Sequence, residues 1–442
     1  MKKNAKRIIA LLLALLSLAG LVGCGNNQQQ NQASGGGMNE AGELVGTFEL
    51  QLFTGGYGSQ AWEEIIADFE AANPKLDVIV YMDANVNKQM QTRWIQGNPP
   101  DFVFLTGSNL PIEEYLAEGL LMDLTEFYET AKMYDSEDLL KDHINADLVP
   151  RYDGKVVQMP LIMSCYGMWY DEALYTQQGL TQPNNFDELK TLCATAKGKG
   201  MSAFIYPGQN SGYLTWGLVM PAVAAYGQEY FDKIHLATDA SAFRDQRFIS
   251  VLKRLEELAD AGYFQQGTVS LNHIQSQMQW LSHNGLMIPN GLWLENEMKK
   301  DIPNDFVMRY APSPLITADQ TPTIISDSAT VGIPTAAKNP DAAKEFLRFM
   351  YKPENIVKFT EMANVPIATD ADTSHTELSD SAKYVQTVLN GDNIQLVKKN
   401  GGWGSVDSVF NDCMNKIVLN QMSAEEAAEA IAKECERQLA DK

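Results

Sequence analysis

The apolar positions of this chain change period several times. Over residues 48–53 they are dense across a short stretch, which predicts a strand. Trp62, Ile65, Ile66 and Phe69 then recur at the i, i+3, i+4, i+7 spacing of one helix face, and Asn73-Pro74 stops the run. Residues 76–82 predict a second strand and 90–95 part of another helix, after which Pro99-Pro100-Asp101 leads into a third strand over 102–105. Strands separated by helices of this length predict a parallel sheet of βαβ units. Asn339-Pro340 opens a helix carrying Phe346, Leu347 and Met350, with proline in its first turn. The last helix begins with Ser423 and Glu426 at capping-box spacing. Its apolar line, Ala427, Ile431, Cys435 and Leu439, predicts Cys435 as a small core residue. No internal repeat is visible.

The first apolar run differs from these. Lys2, Lys3, Lys6 and Arg7 precede an apolar stretch over 8–19 that is short for a bilayer span and has the layout of a secretory signal. It ends in Leu21-Val22-Gly23-Cys24, which resembles a bacterial lipobox: Gly23 lets a peptidase reach the bond, and the Cys24 thiol is the nucleophile that carries lipid. The resemblance implies a signal peptide over 1–23 and a lipid-bearing Cys24 at the mature N-terminus; an ordinary signal that happens to contain a cysteine is the alternative. Residues 25–37 are Gly, Asn, Gln, Ala and Ser only, so 24–43 is read as the lipidated cysteine and a disordered tether. A random coil of that length reaches roughly 20–25 Å. The folded body should start near Leu44, and no later run approaches the roughly 20 apolar residues of a spanning helix.

A chain of 442 residues holds two or three domains, or one body of two lobes. Its 34 basic and 56 acidic residues give a net charge of −22, and removing 1–23 with its four positive charges takes it to −26. That balance excludes a nucleic-acid binder, which needs a basic stripe against phosphates, and disfavours adsorption to anionic membranes. The cysteines (Cys24, Cys165, Cys193, Cys413, Cys435) are too scattered for a disulfide scaffold or CxxC site. The histidines (His143, His235, His273, His283, His375) show no metal-site spacing, so no metal or cofactor is expected. Gly56-Tyr57-Gly58-Ser59-Gln60-Ala61 with Asp83 ending the next strand matches a dinucleotide fingerprint. The same glycines serve any tight turn beside a ligand, and an exported protein meets little free dinucleotide. There is no G-x-S-x-G elbow, Cys165 and Cys193 lack an evident catalytic partner, and pairs such as Glu63-Glu64 and Glu256-Glu257 read as solvated helix faces. No catalytic residue is predicted, although a carboxylate pair assembled from distant segments would make a lipid-anchored glycoside-active enzyme.

Aromatic residues beside small polar ones stand out instead: Tyr57 in the glycine loop, Tyr206-Pro207-Gly208-Gln209, Ser211-Gly212-Tyr213, Asn290-Gly291-Leu292-Trp293 and Gly401-Gly402-Trp403-Gly404. A sugar presents C–H faces that lie on flat rings and hydroxyl edges that need polar partners. Glycine neighbours suggest exposed loops for Trp293 and Trp403.

Several strings in order carry a family resemblance. They are Asn98-Pro99-Pro100-Asp101-Phe102-Val103-Phe104, the run from Tyr115 through Gly119 to Leu124, Asp153-Gly154-Lys155-Val156-Val157-Gln158-Met159-Pro160, Tyr170-Asp171-Glu172-Ala173-Leu174 and Asn184-Asn185-Phe186-Asp187-Glu188-Leu189. The last lacks the tryptophan usual in that turn, read as a packing variation. With the lipobox they make the chain resemble a family 1 extracellular solute-binding protein, the sugar-capturing lipoprotein of a carbohydrate ABC importer. The resemblance implies an α/β, two-lobe, type II periplasmic-binding-protein-like fold with the ligand between lobes joined by hinge crossings. Lobe 1 would take 44–163 and 312–362, and lobe 2 164–311 and 363–442. The crossings would fall near 159–164, 310–313 and 364–367, close to Pro160, Pro312 and Pro366. Tyr213, Trp293 and Trp403 would be stacking rings. Ser164 stands where a relative branch has an acidic sugar ligand, Ser108 and Asn109 fall in the first-lobe polar contact region, and the loop at Gly56 and Tyr57 faces the cleft. Tyr206-Pro207-Gly208 also resembles binding proteins for N-acetylglucosamine or its short oligomers. The expected partners are a mono- or oligosaccharide, ABC permease subunits and, through Cys24, a membrane; the protein is expected to be a monomer.

Overall fold

The computed structural model describes residues 36–107, 112–372, 374–399, 401 and 404–441. The signal, Cys24, most of the tether, Ser108, Asn109 and Trp403 lie outside the described residues. Eleven strands occur among those described: β1 (Gly37–Met38), β2 (Leu44–Phe53), β3 (Leu76–Asp83), β4 (Phe102–Phe104), β5 (Met159–Met163) and β6 (Tyr166–Asp171) come first. β7 (Met287–Gly291), β8 (Met308–Ala311), β9 (Thr323–Ser326), β10 (Ser328–Gly332) and β11 (Gln395–Lys398) follow.

The first sheet runs β1-β2-β4-β10-β5, with β3 on β2. β2 is parallel to β3 and β4, as the βαβ reading expects, but β1, β10 and β5 are antiparallel to their neighbours. The sheet is therefore mixed, because β10 enters from a distant segment that no local periodicity announces. The helix Gln60–Ala72 buries Trp62, Ile65, Ile66 and Phe69, the predicted face. β1 also corrects the tether's limit: Gly37 pairs with Val45 and Met38 with Leu44. Asn39 Oδ1 closes the turn on the N–H groups of Ala41 and Glu43. Backbone pairing at a sheet edge needs no apolar side chain, so composition alone missed it.

The second body is built on the antiparallel sheet β7-β6-β8, a parallel pair β9-β11 and many helices. Its core includes Met168, Phe204, Leu218, Phe231, Leu252, Phe410 and Ile431. Ser423 and Glu426 form the predicted capping box, and Cys435 is buried. Cys165, Cys193 and Cys413 are buried free thiols, and Cys435 is buried with its Sγ donating to the Ala237 carbonyl at 3.3 Å. Burial pushes the thiols of Cys165 and Cys193 up to about 12 and that of Cys413 to about 11.

The chain changes sheets three times. β5 passes to β6 at Ser164-Cys165, and β9 to β10 at Asp327. After the helix Pro353–Ala363, Ile367 bridges back to Ile162, and the helix Asp380–Leu389 then packs on β8. The second change falls at Asp327, not at 310–313 as expected. Segment 312–326 belongs with the second body: Ser313 Oγ donates to the Leu218 carbonyl at 2.6 Å, Phe186 N to Ile316 O at 2.7 Å, and β9 pairs with β11. Pro312 marks an irregular stretch after β8, not a crossing.

Candidate functional site

A cavity of about 300 Å³ lies across the first two crossings. Thr106, Gly107, Tyr152, Gln158 and Thr330 line it from the first sheet's side, Tyr166, Trp216, Trp293 and Lys399 from the other, and Ser164 and Asp327 at the crossings themselves. Tyr152 Oη donates to Gln158 Oε1 at 3.0 Å, so this wall presents a fixed hydroxyl and amide.

Trp293 is held by what surrounds it. A Cβ at Gly291 would lie 2.3 Å from the far edge of its ring, and one at Gly56 would lie 2.9 Å from Cδ1. Two glycines, one from each side of the cleft, thus make room for one indole. Tyr57, Tyr166 and Tyr213 each meet that ring edge-on, with centroids 5.9, 5.1 and 6.2 Å away. Such edge contacts suit the opposite charges of ring edge and ring face. Trp293 caps the short helix Leu294–Met298, three consecutive residues of which reach three different places. Glu295 Oε2 accepts from Asn364 Nδ2 (2.6 Å) and Ser379 Oγ (2.7 Å), near the third crossing. Asn296 Nδ2 donates to the Gly56 carbonyl at 2.7 Å, joining the two sides of the cleft. Glu297 Oε2 takes Gln277 Nε2 (2.7 Å) and faces His273 Nε2 (2.6 Å), whose ring packs on Tyr213.

Trp216 reaches the cavity from a single π-helical turn, Thr215–Val219. Pro221, with no N–H, breaks the regular i→i−4 ladder there. Gly217 lets that turn lie close on β6 and β7, since a Cβ would sit 2.6 Å from Pro289.

Of the predicted residues, Ser164 and Trp293 line the cavity. Tyr57 is buried behind it and donates to Ser164 Oγ at 3.3 Å. Burial raises its phenol's pKa, as it does that of Tyr166, where the Asp327 and Asp407 carboxylates add to the effect. Tyr213 is not among the lining residues but packs behind Trp293 and Tyr166. Tyr206 is buried in the second body, its hydroxyl donating to Asn415 Oδ1 at 2.9 Å, so this motif is a packing element. Sequence reasoning missed Tyr152, Gln158, Tyr166, Trp216, Asp327 and Lys399. Tyr166 directly follows a predicted crossing and Trp216 lies three positions after Tyr213, so both had a local signal. Asp83 closes the turn after β3 by accepting from Asn85 N at 2.7 Å. His143 and His283 face carboxylates, those of Asp370 and Asp171, and His235 Nε2 lies 2.9 Å from the Gly401 carbonyl.

A cavity lying on the crossings between two sheet-based lobes defines a hinged ligand-capture protein of the type II periplasmic-binding class. Solved structures share the fold. A chitin oligosaccharide binding protein superposes with a TM-score of 0.71 at 17% identity, covering 90% of this chain and 99% of that one. The solute-binding protein RafE in complex with raffinose gives 0.68 at 21%, covering 88% and 98%. The family model of bacterial extracellular solute-binding proteins matches residues 55–357, and the chain belongs to that family. Among its relatives, the diacetylchitobiose binding protein NgcE of Streptomyces coelicolor is 28% identical over 339 residues, 72% of this chain and 69% of the relative. The multiple sugar-binding protein of Streptococcus mutans is 23% identical over 310 residues, 69% and 71% of the two. Among the described residues, no helix is long and apolar enough to cross a membrane.

Proposed function

We propose that this solute-binding protein captures a sugar or short oligosaccharide by hinge closure and hands it, unchanged, to an ABC permease. The observation that carries the reading is the Trp293 ring, bracketed by glycines from both sides of a cleft that also offers Tyr166 and Trp216 as flat surfaces and Ser164, Gln158 and Asp327 as polar partners. Relatives named for diacetylchitobiose and multiple sugars support it. A volume of about 300 Å³ is at the small end of ligand sites, which suits one or two rings. Trp293 and Ser164 form the ligand surface, with Tyr57 and Tyr213 packed behind it; by the family resemblance Ser108, Asn109 and Trp403, outside the described residues, add contacts. Lobe 1 comprises 36–163 and 328–371, since Ala368 and Asp370 still bond to Leu161, Asn145 and His143, and lobe 2 comprises 165–326 and 374–441. Opening parts the Asn296–Gly56 bond, and closure presents both lobes to the permease in one geometry. The protein acts as a monomer without catalysis, held to the outer face of the membrane by acyl chains on Cys24, a stable anchor when more than one chain is attached.

The test is calorimetry against mono- and oligosaccharides, with chromatography of the recovered ligand. Binding with intact sugar returned is expected. New reducing ends would replace this reading with the glycoside-active enzyme, and no binding to any sugar would end it. Mass spectrometry of the membrane-extracted protein should find acyl mass on Cys24, and a free thiol there would remove the anchor.

A further inference from the structure

We propose that Asp327 and Lys399 form the polar end of the cleft and select a neutral sugar through two adjacent hydroxyls. This rests on the sugar-capture reading and names the chemistry of that same cavity. The two residues are distant in sequence, and the parallel pairing of β9 with β11 brings them together. Both line the cavity. Lys399 Nζ donates to Asp327 Oδ2 at 2.6 Å, while the side chains stay 26% and 27% exposed. Their backbones are fixed independently of that bond: Lys399 N donates to the Ser326 carbonyl at 3.0 Å, and the Asp327 carbonyl accepts from Ser164 N at 2.9 Å. The pair is therefore held in place before any ligand arrives.

Its hydrogen-bonding capacity can be counted. A carboxylate has about four lone-pair sites and an ammonium three donors. Asp327 gives one site on Oδ1 to Ser328 N (2.8 Å) and one on Oδ2 to Lys399, which leaves an acceptor on each oxygen. Lys399 gives one donor to Asp327 and turns another side to the Trp216 ring, 4.8 Å from its centroid. A donor remains beside two acceptors. Two neighbouring hydroxyls of a sugar ring, each able to give and take a hydrogen bond, are the complement of that array. Trp216 meanwhile offers its apolar surface to the same ring.

The charges narrow the ligand further. Asp327 and Lys399 sum to zero, and the exposed carboxylate of Asp407 is not part of the cavity lining. Because each charge is already neutralised by the other, a ligand carboxylate or ammonium finds no uncompensated counter-charge there to offset its desolvation. Uronates and free amino sugars are thereby disfavoured, whereas hydroxyl-bearing and N-acetylated rings are accepted.

The experiment is calorimetric titration of the full chain and of Asp327→Asn, Lys399→Met and Trp293→Ala. Raffinose and N,N′-diacetylchitobiose serve as neutral probes, chitobiose as the cationic probe and digalacturonate as the anionic one. The parent is expected to bind a neutral probe at least about tenfold tighter than either charged one. Each pair variant should weaken that binding about ten- to a hundredfold, as loss of a charge-assisted hydrogen bond does. The two should also shift preference in opposite directions, Asp327→Asn toward digalacturonate and Lys399→Met toward chitobiose. A purely structural role would not produce that reversal. Melting temperatures check folding; should Lys399→Met melt early, Lys399→Arg keeps the charge and should lose affinity without any change of preference. If Trp293→Ala weakens binding while both pair variants bind the neutral probes like the parent, sugar capture stands and this assignment falls. If the parent binds neither neutral probe nor any sugar of a wider panel, the capture reading falls and this assignment with it.

Discussion

Two aromatic groups meet at Phe104 and are used in opposite ways. On the first sheet, Trp62 lies 5.0 Å from Phe359 and 5.3 Å from Phe104, and Phe346 lies 5.0 Å from both Phe69 and Phe102. None of these side chains is measurably exposed, apart from about 1% of Phe359. In the cleft, Tyr57, Tyr166, Tyr213 and Trp293 make the same edge contacts at similar distances. Here, however, three of the four rings carry hydroxyls, two glycines crowd the fourth, and Tyr166 and Trp293 face a cavity. Tyr57 sits 6.2 Å from Phe104, so the dry group is the footing of the wet one. Identical ring geometry thus stabilises the fold in one place and forms a surface in the other. The difference lies in the glycines and in what each ring leaves open.

The strongest way to break this contrast is Trp62→Ala, which should cost about 3–5 kcal/mol of stability in denaturant unfolding. Calorimetry on the fraction still folded should find sugar affinity near that of the parent; a selective loss of binding would erase the distinction. Trp293→Ala should do the reverse, losing about 2 kcal/mol or more of binding, roughly thirtyfold, with a much smaller shift in the unfolding midpoint. Gly56→Val tests the glycine bracket: a side chain pressed on Trp293 should cost about 1–3 kcal/mol of binding, with small-angle scattering showing a more open average shape. Unchanged scattering and affinity would show that this contact does not define the closed form. Tyr57→Phe is the gentlest probe, removing only the bond to Ser164 for about 0.5–1.5 kcal/mol, and calorimetry alone should register it.

The same contrast explains what was legible beforehand. The Trp62 face was readable because a helix against a sheet imposes its period on consecutive residues, and the structure buries the predicted positions. Trp293 was also singled out, and it does line the cavity, but the reason was incomplete. Its glycine neighbour suggested an exposed loop, whereas Gly291 ends β7 and is buried, and leaves room for the ring itself. Asp327 and Lys399 carried no local signal. Ser326-Asp327-Ser328 looks like any polar turn, and only the pairing of β9 with β11 makes it part of a wall. Antiparallel β10 and the crossing at Asp327 were hidden for the same reason: they depend on partners far away in the chain. Tyr206 shows the opposite case: its string resembles binding proteins for N-acetylglucosamine oligomers, and a diacetylchitobiose binding protein is among the relatives, yet the side chain itself serves packing.

The four described cysteines are buried and form no disulfide with one another, and three have thiols well above their ordinary range. This part of the chain therefore makes no demand on an oxidant to reach its fold and offers none a thiolate to attack. Its refolding should go to completion in the presence of reductant. A single cysteine placed on either rim of the cleft would be the one fast-reacting thiol in the described body, so a dye there could report opening and closing without any native residue being removed first.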